Sequence, residues 1–312
     1  MKYLVLTPDG VGSTFLQRLL TIILNLNGED VLNSHEILNG LELTDDKITR
    51  SRQAHYNQNV DQITNILKTN KSKFLVSRMA KYHLDNRNHT TGEQKKLIDF
   101  IKNFYDVKLI CMRRNVFEYA LSWSIRDQSG YLNVYSLKQK QEVRKKQDVN
   151  INFFKKKLTE YKQYINWVEE HFNNTDNVEY IFYEDLINDT DKYLIKYVKG
   201  VDNFKKKFGI SINEYIKLEY NIHETFMKGD ILLQHKADIK KIARVKKYVT
   251  ELTKKGIMPA GPMPIKNTSL EEKKNIVINY DQCIMEYKNF AKFHNWIDQS
   301  ITEFDFWNNK QL

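Results

Sequence analysis

The sequence predicts an α/β fold with a central parallel sheet of about four or five strands, helices on both faces and a helical C-terminal part. Short apolar runs, which are typical of strands buried on both faces, alternate with amphipathic helical patterns. The apolar runs are Tyr3–Leu6, Lys73–Val76, Val107–Met112 and Val178–Phe182, with a shorter one at Val31 and Leu32. The predicted helices are Thr44–Thr69, Gly92–Phe104, Ile151–His171 and Leu270–Phe293, with a mostly helical stretch over Ile187–Val249.

Length and composition predict one globular domain. The chain has 312 residues, of which 41% are hydrophobic and 12% aromatic, so it is long enough to bury a core. Since no Gly/Ser-rich linker is visible, we expect a single domain over residues 1–312, with its core at about 1–190 and a helical cap at about 191–312. The two cysteines and the absence of a signal peptide or apolar span predict a soluble, cytoplasmic protein. The abundance of Lys, Asn and Ile suggests a microbial or viral source.

The charge predicts anionic ligands. The formal net charge is +10 and the isoelectric point is about 9.2, a balance that suits phosphate, sulfate or acidic glycans. Runs such as Lys155–Lys157 and Lys205–Lys207 are typical of solvated helix faces. No nucleic-acid-binding signature and no zinc spacing appears in the sequence, so we expect neither a nucleic acid partner nor a metal.

The segment after the first strand has the pattern of an anion site. Pro8 ends the strand, and Gly10 and Gly12 permit a tight turn that approaches a ligand closely. Ser13 or Thr14 can then cap a helix, whose free N–H groups and dipole favour negative charge. The turn is not a Walker A loop, because no Lys precedes the two hydroxyl residues. An ordinary strand-to-helix turn without a ligand is the alternative.

A second segment places two arginines at the end of a strand. Val107–Met112 is followed by Arg113, Arg114 and a predicted helix. The carboxyl ends of strands are where α/β folds bind ligands, and the planar guanidinium can donate two hydrogen bonds to a phosphate. The alternative is that one arginine forms an ion pair with Glu118 or Asp127.

These residues resemble the PAPS-dependent sulfotransferase superfamily, in which PAPS is 3′-phosphoadenosine 5′-phosphosulfate. Pro8–Phe15 is similar to the first signature of the family. The second appears as Arg114, Asn115, Glu118 and Ser122, with Val116 where Pro is usual, and the third as Tyr183-Glu184-Asp185-Leu186. The three motifs occur in the family's order over the first ~190 residues. The resemblance implies a P-loop-like, three-layer sulfotransferase fold, nearer to bacterial or viral carbohydrate-type members than to cytosolic ones.

The resemblance also implies roles for individual residues. The loop residues Gly10, Val11, Gly12, Ser13 and Thr14 would hold the 5′-phosphosulfate, and Phe15 would lie near the adenine. Arg114 and Ser122 would grip the 3′-phosphate, while Tyr183 and Asp185 would support the fold around the site. The implied activity is transfer of a sulfuryl group from PAPS to a hydroxyl of a carbohydrate or small metabolite, with PAP as the product and no metal.

One departure from the family concerns charge. The family carries Lys or Arg early in the loop, where this chain has Asp9 and Gly10. We expect the missing cation to come from Arg78, after the strand Lys73–Val76, or from Lys266 in a C-terminal basic loop. Arg18, one turn into the first helix, is a third candidate, and the alternative is that it faces solvent.

Sulfuryl transfer also needs a base near the acceptor hydroxyl. Glu36 is the first candidate, because carbohydrate-type members of the family place a catalytic Glu at about this distance from the loop. His35 is the second, since a neutral imidazole is a good base near pH 7. The alternative is that Ser34 caps a helix that carries Glu36 in its first turn. We interpret His83 as structural and His55 as solvated.

Two other functions are alternatives to this one. A P-loop-type nucleotide kinase would need the missing Walker lysine and a magnesium-binding Asp. The second alternative is a sulfotransferase fold that is retained as a binding or structural protein. The absence of Lys or Arg from the loop would be consistent with that role.

Overall fold

A computed structural model describes residues 1–8, 10–38, 40–44, 47–50, 59–85, 90–131, 137–227, 236–258 and 270–294. The described residues group into two compact units. Unit 1 draws on Met1–Met112, Glu169–Ile222 and Leu232–Met263, and unit 2 draws on Arg113–Val168, His223–Ile231 and Pro264–Leu312. The single domain expected over residues 1–312 stays a prediction.

Unit 1 contains an all-parallel sheet of five strands, flanked by helices. The strands of the chain are β1 (Lys2–Thr7), β2 (Val31–Glu36), β3 (Leu41–Thr44), β4 (Lys47–Arg50), β5 (Phe74–Ala80), β6 (Val107–Met112) and β7 (Val178–Phe182). The order in the sheet is β2-β5-β1-β6-β7, while β3 and β4 form a separate antiparallel pair. The strand order reverses at β1, which is the position where open α/β sheets bind ligands.

The helices follow the strands along the chain. They are α1 (Ser13–Leu26), α2 (Val60–Thr69), α3 (Lys81–Asp85), α4 (Thr91–Phe104), α5 (Val116–Ser129), α6 (Leu137–Val143), α7 (Ile151–Phe172), α8 (Tyr183–Asn188), α9 (Thr190–Ile195), α10 (Asp202–Phe208), α11 (Ile212–Met227), α12 (Lys236–Lys254), α13 (Leu270–Ile276) and α14 (Tyr280–Phe293). Among the described residues, no helix is long and apolar enough to cross a membrane.

The core of unit 1 lies along the central strands and α1. Leu4, Val5 and Leu6 of β1 are fully buried, as expected for a strand with neighbours on both sides and helices over its faces. Helix α1 buries an apolar face at helical spacing that includes Leu16 and Leu20. This packing fixes the start of α1 beside the carboxyl end of β1.

Unit 2 has an aromatic core of its own. The ring of Phe117 on α5 packs edge to face against Phe154, Tyr280 and Tyr287, with centroids 5.6–5.8 Å apart. Such pairs are typical of aromatic cores, because the positive ring edge meets the negative face. The helix α5, which follows β6 in sequence, is therefore held by α7 and α14.

The predicted strands are confirmed, and β6 and β7 have the predicted bounds. The strand predicted at Lys73–Val76 is longer than expected, so Arg78 lies within β5 and not after it. The short run at Val31 extends to Glu36, so the alternative with Ser34 as a helix cap is wrong.

Two predicted helices were wrong in part. The predicted helix Thr44–Thr69 contains β4, while its last part, Val60–Thr69, is helix α2, at whose start Asn59 and Gln62 form a capping box. The predicted helix Leu270–Phe293 is two helices, because Val277 leaves the helix to pair with Gln147. The backbone N–H of Gln147 donates to the carbonyl of Ile276 at 2.9 Å. The tail residues Trp296 to Trp307 lie outside the described residues.

Candidate anion-binding site at the end of the parallel sheet

The glycine-rich loop leads from β1 into α1. Gly10 and Gly12 have φ of 70° and 75°, in the left-handed region that disfavours side chains. The cap predicted at Ser13 or Thr14 is wrong, because Gly12 is the N-cap residue of α1 and supplies no side-chain acceptor. The first N–H groups of a helix have no partner within the helix, so this end of α1 has the geometry that binds anions. Asp9 lies outside the described residues.

Tyr183 packs directly on the loop. A Cβ added to Gly12 would lie 2.8 Å from Cδ2 of Tyr183, which is closer than side chains approach. Tyr183 is the first residue of α8, immediately after β7. The third motif thus meets the first, and position 12 requires glycine for two separate reasons.

Arg78 brings a cation to the loop hydroxyls. Its Nη1 lies 2.7 Å from Oγ1 of Thr14 and 3.4 Å from Oγ of Ser13. The parallel pairing of β1 and β5 sets Arg78 opposite Val5, so its side chain reaches the start of α1 from the neighbouring strand. The guanidinium therefore adds positive charge where the helix dipole already favours an anion.

Glu36 is the carboxylate partner of Arg78. Its side chain is only 1% exposed, and its Oε2 lies 3.2 Å from Nε of Arg78. Its Oε1 accepts a hydrogen bond of 2.9 Å from the backbone N–H of Ala80. The same Oε1 is 3.6 Å from Nδ1 of His83, the third residue of α3. The carboxylate is thus held by contacts to β5 and to the helix that follows it.

A β-bulge sets this arrangement. In the pairing of β2 with β5, Asn33 is opposite Val76, and Glu36 is opposite Arg78, so β2 has one extra residue. His35 lies in the bulge with φ of 64°, a left-handed conformation that costs about 1–3 kcal/mol for a residue with a side chain. Such strain is common at functional sites, where the surrounding structure enforces it.

Buried polar contacts stabilise the bulge. Nε2 of Gln17 on α1 donates to Oδ1 of Asn33 at 2.8 Å and to the carbonyl of His35 at 3.0 Å. The backbone N–H of His35 donates to Oδ1 of Asn33 at 3.0 Å, and Nδ2 of Asn33 donates to Oγ1 of Thr21 at 2.9 Å. The helix that begins at the loop and the strand that carries Glu36 are thereby joined through one network.

A second buried network supports the adjoining strands. The hydroxyls of Ser34 and Ser77 are 2.6 Å apart, and the hydroxyl of Tyr105 donates to Ser77 at 2.8 Å. Burial raises the pKa of Tyr105 far above its usual value. The hydrogen bond with Ser77 lowers this pKa, but by less than burial raises it. Tyr105 therefore stays a proton donor at any physiological pH.

The arginines after β6 have different surroundings. In unit 2, Nη2 of Arg113 is 2.9 Å from Oε2 of Glu118, and Nζ of Lys273 is 2.5 Å from Oε1 of the same carboxylate. Arg113 is therefore the arginine that pairs with Glu118. Burial lowers the pKa of Lys273 to about 8, although Glu118 opposes this shift. Asn115 caps α5 by accepting a 2.7 Å hydrogen bond from the N–H of Glu118.

Arg114 and Ser122 belong to unit 2, whereas the loop belongs to unit 1. Arg114 is partly exposed, and Oγ of Ser122 donates to the carbonyl of Glu118 at 2.7 Å. Arg18 is 4% exposed, so it is a buried residue of α1 and not a solvated one. Lys266 and His55 lie outside the described residues.

Sequence reasoning brought Glu36, Arg78, Ser13 and Thr14 into one hypothesis, and the structure places these four side chains in one cluster. His83, which the sequence predicts to be structural, has its Nδ1 3.6 Å from Oε1 of Glu36, and its structural role stays a prediction.

No protein-family model matches this chain, and no curated protein sequence matches it significantly. The resemblance to sulfotransferases therefore depends on the three motifs quoted above. The cluster around Arg78 is an observation of its own, independent of that resemblance.

Proposed function

We propose that the protein is a PAPS-dependent sulfotransferase, which transfers a sulfuryl group from PAPS to a hydroxyl of a carbohydrate or small metabolite. The observation that supports this most is the 2.7 Å contact between Nη1 of Arg78 and Oγ1 of Thr14. It provides a cation beside a loop that lacks the Lys or Arg usual in this family. PAPS is the co-substrate, PAP is the product, and the proposed reaction uses no metal.

The chemistry that this cluster would supply is charge stabilisation. In sulfuryl transfer, the acceptor oxygen attacks the sulfur while the bond from sulfur to the bridging phosphate oxygen breaks, and negative charge accumulates on that oxygen. Hydrogen-bond donors already fixed in place stabilise such charge without reorganisation. The N–H groups at the start of α1, the hydroxyls of Ser13 and Thr14 and the guanidinium of Arg78 are donors of this kind.

Glu36 would keep Arg78 ready for the donor. In the free protein, its carboxylate neutralises the guanidinium at 3.2 Å and holds it beside the loop. An arginine left partly buried without a counter-charge would be costly, so the pair is a way to store the cation until an anion binds. Glu36 and His35 also stay the candidate bases, and both lie at the bulge at the end of β2.

The remaining roles come from the resemblance. We propose that Arg114 and Ser122 bind the 3′-phosphate, and that Gly10, Val11 and Phe15 complete the donor site with Lys266. The discrimination between PAPS and ATP depends on the 3′-phosphate, because both nucleotides carry adenine and a charged 5′ group. Arg114 is suited to this discrimination, because its guanidinium can grip a phosphate through two hydrogen bonds.

A transfer assay tests the proposal. The protein is incubated with ³⁵S-labelled PAPS and a panel of mono- and oligosaccharides and phenols, and labelled products are separated by chromatography. Arg78→Gln should lose most of the transfer, while Arg244→Gln, an exposed arginine on α12, should retain it. Label transferred equally well by both variants would contradict the role of Arg78. Phosphate transfer from ATP with Mg²⁺, without sulfuryl transfer, would favour a kinase instead.

A further inference from the structure

We propose that a lysine-rich surface of unit 1 binds an anionic lipid membrane by electrostatic attraction. This lysine surface consists of six exposed side chains on α10 and α12: Lys205, Lys206, Lys207, Lys240, Lys247 and Lys254. The two helices together contain ten Lys and Arg residues against three acidic residues, which is a formal net charge of +7, where the whole chain has +10. The inference does not depend on the proposed sulfotransferase function.

The sequence of α12 separates a basic side of the helix from an apolar one. Lys240, Lys247 and Lys254 recur every seven residues, which places them on one side of the helix. The opposite side carries four buried apolar residues, Ile242, Val245, Val249 and Leu252. Because burial of that apolar side fixes the rotation of α12, the three lysines face solvent.

Helix α10 lies beside α12 and adds three more lysines. The Phe208 ring packs edge to face on Tyr248, with the ring centroids 5.5 Å apart. Nζ of Lys207 lies 6.0 Å from the centroid of the Tyr248 ring, and Tyr248 follows Lys247 in the chain. Phe204 and Phe208 are buried, and the three lysines between them are exposed. The lysines of the two helices therefore form one surface.

Carboxylates compensate other lysines of α12 more than they compensate this surface. Two such lysines are in ion pairs, Lys241 with Asp238 at 3.5 Å and Lys246 with Glu219 at 2.7 Å. Within the part of the chain that the structure describes, no lysine of the lysine surface forms an ion pair, although Lys205 attracts Glu214 from a longer distance. Since neighbouring like charges repel one another, an anionic partner stabilises this arrangement.

The lysine surface is separate from the loop at the start of α1. The hydroxyl of Tyr248 donates to Oδ1 of Asn25 at 2.6 Å, and Nδ2 of Asn203 on α10 donates to Oδ1 of Asn27 at 2.8 Å. Both contacts lie at the C-terminal end of α1, about 18 Å from Ser13 at a rise of 1.5 Å per residue. Lipid bound by the lysine surface is therefore not bound by the loop.

The chemistry of the surface favours lipid over nucleic acid. Lysine is a point charge on a flexible stem and suits a fluid layer of headgroups, whereas arginine forks and exposed aromatic rings are typical of nucleic acid recognition. Phe204 and Phe208 are buried, and the Tyr248 hydroxyl is held by Asn25, so these rings are not presented for base stacking. Ile239, which is 37% exposed, adds an apolar side chain that can enter the headgroup layer.

Vesicle flotation tests the inference. Wild-type protein should float with phosphatidylcholine vesicles that contain about one third phosphatidylserine, and not with vesicles of phosphatidylcholine alone. Flotation should be lost when the salt concentration is raised from about 0.05 M to about 0.5 M, because salt screens exposed charges. Each lysine near such a membrane strengthens binding about fivefold, so Lys206→Gln, Lys240→Gln and Lys247→Gln together should weaken it about 100-fold.

A matched triple variant controls for net charge. Lys68, Lys95 and Lys96 are exposed on α2 and α4, and replacing them with Gln removes the same charge from another part of unit 1. This variant, checked like the first for its fold by circular dichroism, should bind vesicles within about threefold of the wild type. Absence of wild-type flotation, or an equal loss in the two variants, would overturn the inference. Release of the protein from vesicles by PAP would assign the lipid contact to the loop instead, and duplex DNA that binds more tightly than the vesicles would assign the surface to nucleic acid; either result contradicts the inference.

Discussion

Replacing Gly12 with Ala should destabilise the protein more than the same change at a left-handed glycine where an added Cβ would meet no other atom. The left-handed backbone, with φ of 75°, costs about 1–2 kcal/mol once a Cβ is present. The new Cβ would also lie 2.8 Å from the Tyr183 ring, and forcing an extra carbon into a packed contact costs about 1–3 kcal/mol more. The expected loss in free energy of unfolding is about 2–5 kcal/mol.

A matched control isolates the steric part. Gly209 ends α10 with φ of 74°, and a Cβ there would meet nothing within 4 Å. Gly209→Ala should therefore cost only the backbone part, about 1–2 kcal/mol. Urea unfolding followed by circular dichroism measures both variants.

A double-mutant cycle with Tyr183→Ala then measures the contact itself. Without the ring, Gly12→Ala should cost less, with a coupling of about 1–3 kcal/mol. Equal destabilisation by Gly12→Ala and Gly209→Ala, together with no coupling to Tyr183, would refute the proposed packing of the third motif on the loop.

Two further predictions concern buried titrating groups. Burial lowers the pKa of Lys273 from 10.5 to about 8, so the unfolded chain binds more protons between these values. The free energy of unfolding of the wild type, relative to that of Lys273→Met, should therefore rise between pH 8 and pH 10 by up to about 1.4 kcal/mol per pH unit. A difference in urea midpoint between the two proteins that does not change with pH would contradict this. Burial raises the pKa of both Cys111 and Cys283 to about 12, so Ellman's reagent should react with them at pH 8 only after denaturation. Rapid reaction of the native protein would contradict that assignment.

The sequence predicted the strands best where apolar runs are bounded sharply. Val107–Met112 and Val178–Phe182 are mainly apolar, each with one charged residue, and both matched to the residue. The helix predicted over Thr44–Thr69 was wrong at Lys47–Arg50, which is strand β4, because the helical spacing of Val60 and the residues after it was extended backward past a start signal at Asn59. Asn59 and Gln62 form that signal, a capping box in which each side chain accepts from the other's backbone N–H.

The site was predicted only as far as local sequence determines it. The loop and its hydroxyls follow from residues close together in the chain, so Ser13 and Thr14 could be assigned to an anion site. The contact of Arg78 with the loop hydroxyls could not be predicted, because it depends on which strand pairs with β1. The contact between Glu36 and Arg78 could not be predicted for a similar reason, since a bulge in β2 brings Glu36 opposite Arg78.

Calorimetric titration with PAP is the most direct test of the claim that the cluster around Arg78 binds an anionic sulfuryl donor. Wild-type protein should bind PAP with micromolar affinity, and ATP more weakly. Arg78→Gln, checked for its fold by circular dichroism, should weaken PAP binding about tenfold or more, a loss of about 1.4 kcal/mol. Arg114→Ala should also weaken PAP binding and should reduce the preference for PAP over ATP. If the wild type does not bind PAP, or if Arg78→Gln binds it as tightly as the wild type, the central claim is contradicted.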